Sequence, residues 1–506
     1  MSRCEFSLCR ILGAVTALAL VLPPLALGDL GVCPPYSKAF GPGDPDEEIL
    51  AFIDEINSRP GGGTLVLGRG EYFRGTAPRT IRITGIVCIT ASEPEWGADL
   101  IAALEVAPGG RLTSQSLYIE AFPPDGGFGV EVEPGATFYG ENTFIVGIET
   151  LRNQGLAFVD DCHIQAVSSP SSVIANTGTL VMRGSEVTGH SNVGLQNDGY
   201  ALLERTSVTG LQGVDSMSAI LNGPGGALTL VDSIVAGNVA MVRSISTADP
   251  VATVGILNSP GSFATIVSST VGRHEEIETD PYPGEVRVGI GIRNEGSLEL
   301  GRSIVWPSAC GAVTDLGYNV GNCPTTHSTS QLADPQFQPG SIELGTGSPA
   351  IDLIPVELCS PTDALSRART DGNNDGAVAC DAGALEYGYA SVEVVVRTMP
   401  YWRTVGRIDL SSESLLFISV MSGGPIDPTT ILFDSIVVGD FPRSAIRGAV
   451  YYDKNGDSLP DYNFWYRLDR ALVLDCRYYD EPFTATTDNG LQVTGRLQFE
   501  AVGCTP

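Results

Sequence analysis

Between Asn153 and Trp306 one short phrase keeps returning, and it dictates the architecture. Later copies read Ala219-Ile220-Leu221-Asn222, Gly255-Ile256-Leu257-Asn258 and Gly291-Ile292-Arg293-Asn294. Each asparagine leads into a glycine-containing turn, then an alternating stretch such as Leu228-Thr229-Leu230 or Leu298-Glu299-Leu300, then Ser-Ile-Val or a close variant. Earlier copies centre on Asn153, Asn176 and Asn197, followed by Gly155, Gly178 and Gly199. The asparagines lie 23, 21, 25, 36 and 36 residues apart by subtraction of their positions. A unit of short alternating strands and glycine turns cannot bury its apolar face alone, so copies must stack. The sequence therefore predicts an all-β solenoid.

Residues 1–28 are set aside as a signal peptide. Arg3 and Arg10 give a basic start, Ile11 to Leu27 is apolar, and Ala26-Leu27-Gly28 suits cleavage. A membrane-spanning helix is the other reading, but Pro23-Pro24 interrupts a run already short for a bilayer. Val32 before Cys33 argues against a lipoprotein box. The formal charge is −30, and loss of Arg3, Glu5 and Arg10 makes it one unit more negative. Such a surface repels phosphate backbones and anionic lipid, which argues against nucleic acid and membrane surfaces as partners. It repels uronic-acid polymers too, unless divalent cations bridge them.

Eleven cysteines less Cys4 and Cys9 leave nine. In an oxidising compartment their grouping points to Cys33–Cys88, Cys310–Cys323, Cys359–Cys380 and Cys476–Cys504, although spacing alone does not fix the connectivity. Cys162 is left over. It aligns with Ser185, Thr206, Ser233, Ser269 and Ser303, a column of small residues expected to face inward, so it reads as a buried structural thiol.

Asp46 to Asn57 carries Ile49, Leu50, Phe52, Ile53 and Ile56 on a helical period and is expected to cap the open end of the solenoid. Thr64–Leu67 and Thr80–Ile83 read as the first strands, with less regular rungs around Leu104–Val106, Val130–Val132 and Phe144–Val146. The recurrent asparagine tolerates left-handed backbone angles, and its amide can bond the same group one rung above and below. The two longest intervals carry extra residues at about 239–252 and 273–288, both after the Ser-x-Val strand. They should project from one corner, where solenoids usually bind, though the acidic second segment also reads as a solvated bulge.

Further on stand Gly317-Tyr318-Asn319, Ala333-Asp334-Pro335, Gly347-Ser348-Pro349-Ala350-Ile351-Asp352 and Cys380-Asp381-Ala382-Gly383-Ala384-Leu385-Glu386-Tyr387. These words, in this order, resemble the closing part of bacterial secreted proteins of the choice-of-anchor Q group. The resemblance spans roughly 150–388. It implies a right-handed parallel β-helix of the pectin-lyase-like kind and an extracellular, often cell-surface role, and it implies no reaction. The expected organisation is a signal at 1–28, cap and β-helix at 29–325, a closing segment at 326–388, and a small β-sandwich at 389–506. That last part resembles a β-rich module at the C-termini of many bacterial exported proteins, through Ile426-Asp427-Pro428-Thr429-Thr430, the Asp453–Asp461 loop and Cys476 with Gly503-Cys504. No sorting tail or membrane anchor is read at the C-terminus, so any attachment to the cell is expected through another molecule.

The strongest ligand pattern is Asp453, Asn455, Asp457 and Asp461, with the Leu459 carbonyl between them. Oxygens so spaced in a tight loop can converge on calcium, with a structural role. Ser458 and Phe464 break the full EF-hand pattern, and an acidic β-turn is the other reading. A weaker set is Asp371, Asn373 and Asp375, completed by Asp381 or Glu386, or else a hydrogen-bonded Asx turn. Asp160-Asp161 and Gly189-His190 faintly resemble the acid pair and histidine of polygalacturonase-type hydrolases. The upstream Asn-Thr-Asp is missing, however, Ser191 follows His190, and no Arg-Ile-Lys follows. A lyase would need an arginine base, for which Arg152, Arg183, Arg205, Arg293 and Arg302 are candidates without a motif. His163 is expected to face solvent, and four scattered histidines make no zinc site. The reading is an exported, monomeric, non-catalytic surface or matrix protein that binds a glycan or another surface. A polysaccharide lyase or glycoside hydrolase is the alternative, and a structural spacer a third possibility.

Overall fold

The computed structural model describes residues 32–387 except 74–78, 93–97, 122–127, 170–171, 243–252, 279–285, 309, 324–325, 339–341, 366–368 and 370–378. Beyond 387 it describes 392–393, 396–398, 406–409, 415–420, 431, 436–438, 447–452, 461–467, 478–486 and 492–502. The chain divides into two compact units, one of residues 1–364 and 368–387, the other of 365–367 and 388–506.

The first unit is built on three long parallel sheets, of 12, 9 and 15 strands. One coil visits each in turn. Leu156–Asp160 lies in the 12-stranded sheet, His163–Ser169 in the 15-stranded sheet and Ile174–Asn176 in the 9-stranded sheet; Thr179–Arg183 then pairs in register with Leu156–Asp160. This is the expected parallel β-helix, with the right-handed sense that nearly all parallel crossovers take.

Alternation within each short strand sends one row of side chains inward, and stacking turns those rows into columns. In the 12-stranded sheet Phe138, Ala157, Leu180, Ala201, Leu228, Ala264 and Leu298 stand in line, large and small alternating. In the 15-stranded sheet the inward column is Ile119, Ile145, Ile164, Val187, Val208, Val235, Val271 and Val305. All of these side chains are buried.

In the 9-stranded sheet one column changes chemistry along its length. It begins Ile83, Val106, Val132 and continues Asn153, Asn176, Asn197, Asn222, Asn258, Asn294. Each Nδ2 donates to the next asparagine's Oδ1, at 2.8, 2.7, 2.8, 2.8 and 2.7 Å in order. The second amide hydrogen goes to a main-chain carbonyl, for example from Asn176 to Tyr200 at 3.0 Å and from Asn222 to Phe263 at 3.0 Å. The ladder is thus a buried polar column that supplies its own partners, the condition under which burying amides is tolerated.

The left-handed geometry expected of these asparagines is not found. They end extended strands; in the turn that follows, Gly225 (φ 83°) and Gly261 (82°) take the left-handed angle, and a second left-handed row lies at the corner between the 12- and 15-stranded sheets. There Asn142 (φ 45°), Asp161 (51°), Gly184 (56°), Arg205 (48°), Asp232 (47°), Ser268 (49°) and Arg302 (55°) form their own row. The next residue is the inward small one predicted from sequence. Its side chain accepts from the backbone of the preceding rung: Cys162 N–H to Ser185 Oγ at 3.1 Å, Ser233 N–H to Ser269 Oγ at 3.1 Å, Ser269 N–H to Ser303 Oγ at 3.2 Å. Cys162 is buried and free, and burial pushes its thiol up to about 12.

The helix Asp46–Ser58 buries Ile49, Phe52, Ile53 and Ile56 against the first rungs. Asn57 ties it down, its Oδ1 accepting from Thr84 N–H at 2.9 Å and Gly85 N–H at 3.0 Å. A strand missed in the sequence, Ser37–Phe40, pairs with Gly63–Leu67 ahead of the predicted first strands. At the other end the rungs shorten to Val313–Asp315, Val320–Gly321 and Gln331–Leu332, followed by a small antiparallel pair, Ile354–Pro355 with Ala379–Cys380. Disulfides join Cys33–Cys88, Cys310–Cys323 and Cys359–Cys380 as expected, while Cys476 and Cys504 lie outside the described residues. Among its described residues the second unit contains two sheets, of five and four strands, centred on Tyr478–Thr486 with Gln492–Val502 and on Leu415–Val420 with Asp461–Arg467.

Position in the ladder sets the cost of losing a rung. Asn222→Ala removes a link bonded on both sides, strands one Asn197 donor and leaves the Asn258 oxygen with Ser262 Oγ as its remaining donor. It should cost roughly 2–4 kcal/mol in denaturant unfolding. Asn294→Ala, at the end of the ladder, should cost less. Equal losses would mean that the amides act singly rather than as a ladder.

Candidate functional site

The two long intervals do not form loops alone. The described parts of the inserted segments are strands that build a side sheet on the corner. Gln212–Val214, the tail of Ser207–Val214, pairs with Val239–Val242, which pairs with Glu275–Glu278, and Val286–Val288 returns antiparallel to it. Arg273, at φ 55°, turns the chain out of the β-helix after Thr270–Gly272. A buried ion pair fixes the hairpin: Glu276 Oε2 accepts from Arg287 Nε at 2.8 Å, and its Oε1 from Thr253 N–H at 2.8 Å.

Beside this sheet lies a cleft of about 240 Å³ lined by Arg273, His274, Glu275, Val288, Trp306, Pro307, Asp334 and Phe337. Three parts of the chain meet there: the second insertion, the next rung's strand Ile304–Trp306, and the closing segment. Arg273 Nη1 is anchored on the Gln338 carbonyl at 2.7 Å, which fixes one wall to the other. The charged liners are one arginine and two carboxylates, and the aromatic liners are Trp306 and Phe337. Aromatic surface with a few polar groups is the composition of a small-ligand site. His274 is wholly buried, its imidazole packed against Gly255 and held neutral, down to about 3, by burial. It is not placed to exchange protons with solvent.

The other residues singled out in the sequence fall elsewhere. Asp160 ends a strand of the 12-stranded sheet and accepts from the Tyr139 hydroxyl at 3.1 Å, and burial raises its carboxyl. Asp161 is a left-handed corner residue whose Oδ1 lies where a Cβ on Gly184 would stand. His190 is exposed on the 15-stranded sheet, and among the described residues no hydrogen bond or ion pair joins it to either aspartate. His163 faces outward yet is half-buried rather than free in solvent. Its ring stacks on Phe144 at 4.4 Å, Phe144 stacks on Tyr118 at 5.0 Å, and His163 Nδ1 lies 2.9 Å from Glu186. Arg152 pairs with Glu131 and covers the Phe128 ring, and Arg183 pairs with Glu204. Asp371, Asn373, Asp375, Asp453, Asn455, Asp457 and Leu459 lie outside the described residues, and Asp461 opens the strand Asp461–Arg467. Among the described residues no group of three or more His, Cys, Asp or Glu could hold a metal ion.

Asp381 belongs to a buried network that the sequence did not show. Its oxygens accept the backbone N–H of Asp352, at 2.8 Å, and of Tyr387. Beside it Arg369 pairs with Glu386 at 3.1 Å and with Asp232 at 3.4 Å, and Ser360 also donates to Asp232 at 3.0 Å. Ala384 N–H reaches Thr270 Oγ1 at 2.8 Å, and Gly383 N–H reaches the Arg302 carbonyl at 2.9 Å. The Cys-Asp-x-Gly-Ala-x-Glu word is therefore a latch that holds the closing segment to the last rungs. Burial, with the Asp381 charge second, pushes Glu386 up to about 8 against the pull of Arg369; burial likewise pushes Asp381 up to about 6.

No family model matches the chain, and no curated protein matches it. Among solved structures it is similar to the crystal structure of Dettilon tailspike protein (gp208), at 13% identity and a TM-score of 0.29, over 85% of this chain and 90% of that one. That likeness carries no statement about what this chain binds or cleaves.

The latch makes stability pH-dependent. Between its ordinary value of 4.5 and about 8, the folded chain holds a proton on Glu386 that the unfolded chain has released. That stabilisation is full below 4.5 and lost as pH rises through about 8. Asp381 acts with the same sign from 3.8 to about 6. Denaturant midpoints of the native chain and Glu386→Gln at about pH 5 and about pH 9 check this. The variant should gain on the native chain at the higher pH; parallel behaviour would mean that Glu386 is ionised throughout.

Proposed function

We propose that the chain is an exported, non-catalytic extracellular protein that binds glycans in the corner cleft. The carrying observation is the cleft itself, where Trp306 and Phe337 meet Arg273, Glu275 and Asp334 on a side sheet built from the inserted segments. A sugar ring offers an apolar face and a rim of hydroxyls, which suits an aromatic wall beside carboxylate and guanidinium groups. Three disulfides fit an oxidising compartment, and residues 1–28 would direct export. The closing segment would be of the choice-of-anchor Q type and the protein would act as a monomer. Calcium at Asp453–Asp461 would stiffen that loop with an affinity on the order of 10⁻⁴–10⁻³ M, without a part in chemistry.

Binding is favoured over cleavage because the one buried histidine at the cleft is held neutral and Asp160, Asp161 and His190 are not joined. The mature chain should be retained on at least one polysaccharide of a broad panel and release neither reducing ends nor unsaturated sugars from any. Trp306→Ala should weaken retention about tenfold, roughly 1.4 kcal/mol, while its melting temperature stays within about 2 °C. Asp160→Asn and His190→Ala should leave retention unchanged. Product release from any glycan would overturn the non-catalytic reading, and undiminished retention by Trp306→Ala would move the site away from the cleft.

A further inference from the structure

The side sheet carries more than one wall of the cleft. Its register sets three rows across the strands: Gln212, Val239, Glu275, Val288; then Gly213, Ala240, Glu276, Arg287; then Val214, Met241, Ile277, Val286. The middle row turns inward, with Ala240 and Glu276 fully buried. By alternation the two flanking rows turn outward. Val214 is 61% exposed, Met241 39%, Val286 57% and Val288 59%. Large apolar side chains displayed together on a short sheet form a ledge, and Val288 and Glu275 belong to both ledge and cleft. The ledge is therefore continuous with the aromatic wall.

Charge narrows the ligand further. The cleft's charged liners sum to one negative unit, on a chain of formal charge −30. A polyanion would meet repulsion at long range and no cationic patch at contact. We infer that cleft and ledge together bind a neutral glycan carrying apolar substituents, namely acetyl groups or the methyl of a 6-deoxy sugar, rather than a uronic-acid or sulfated polymer. The ring stacks in the cleft between Trp306 and Phe337, and the substituent methyls lie on Val288, Met241 and Val286. The inference rests on the glycan-binding reading and names the ligand's chemistry.

The test titrates the mature chain with matched neutral pairs: chito-oligosaccharide against cello-oligosaccharide, and acetylated xylan against the same xylan after deacetylation. Polygalacturonate is the anionic arm and a rhamnan the 6-deoxy arm. A methyl desolvated on an apolar surface is worth roughly tenfold in affinity, so a substituted member should bind at least that much tighter than its unsubstituted counterpart. Val286→Ser and Met241→Ser, both exposed on the ledge and outside the cleft lining, should remove most of that preference and leave binding of the unsubstituted glycan unchanged. Val356→Ser, exposed on the closing segment, should change neither. Equal affinity within each pair, or preference for polygalacturonate, overturns this inference and leaves glycan binding standing. Absence of binding to every member overturns both.

Discussion

The asparagine ladder is the interaction on which the rest of the molecule depends. A one-residue slip would move a strand's buried set to the outer face, so a stacked sheet needs a device that fixes register. Six buried amides do so by demanding partners: any slip leaves an Nδ2 donor and an Oδ1 acceptor unpaired in a dry interior. The ladder also makes the period elastic. Asn222, Asn258 and Asn294 are as far apart in sequence as two 36-residue steps, yet they bond at 2.8 and 2.7 Å like their neighbours. Extra chain must leave and return between fixed columns. That is why both insertions emerge at one corner and can build a sheet together.

A solenoid must also end, and its two ends are closed by different physics. The N-terminal end is capped by burial, with Ile49, Phe52, Ile53 and Ile56 of the helix against apolar rungs. The C-terminal end uses a buried network of charged and polar groups, Asp232, Arg369, Glu386 and Asp381, under the closing segment. Such networks contribute little net stability, because desolvation offsets attraction, but they penalise any misplaced partner heavily. Asp232 and Arg369 stand 137 residues apart in sequence, so the latch fixes where the closing segment lies.

The parts of this structure legible in the sequence were those written as columns. The asparagine phrase, the Cys162–Ser303 row and the helical period of Asp46–Asn57 each repeat a local pattern, and each appears as read. The asparagines themselves are not left-handed; glycines just after them are, and the second left-handed row, Asn142, Asp161, Gly184, Arg205, Asp232, Ser268 and Arg302, was not legible because its members share a backbone angle and no side-chain type. The position of the insertions was legible, but their strand pairing was not. Val239-Ala240-Met241-Val242 is too short to announce a strand, and it becomes one because Gln212–Val214 offers an unpaired edge. Trp306 and Phe337 come from different structural layers, and only the stacked register brings them to one cleft.

Separation of scaffold and site follows from the same register. The columns that hold the β-helix point inward, and the side sheet hangs outside them, sharing with the core its inward positions such as Ala240, Val242 and Glu276. Residues on the outward rows face away from the interior, so their identity is free of the demands that fix the columns. Exposed valine and methionine at such positions cost solubility, a cost that a large net negative charge offsets. Repulsion between like charges lets apolar side chains stand in solvent, so the chain's acidity and the exposed ledge are two sides of one arrangement.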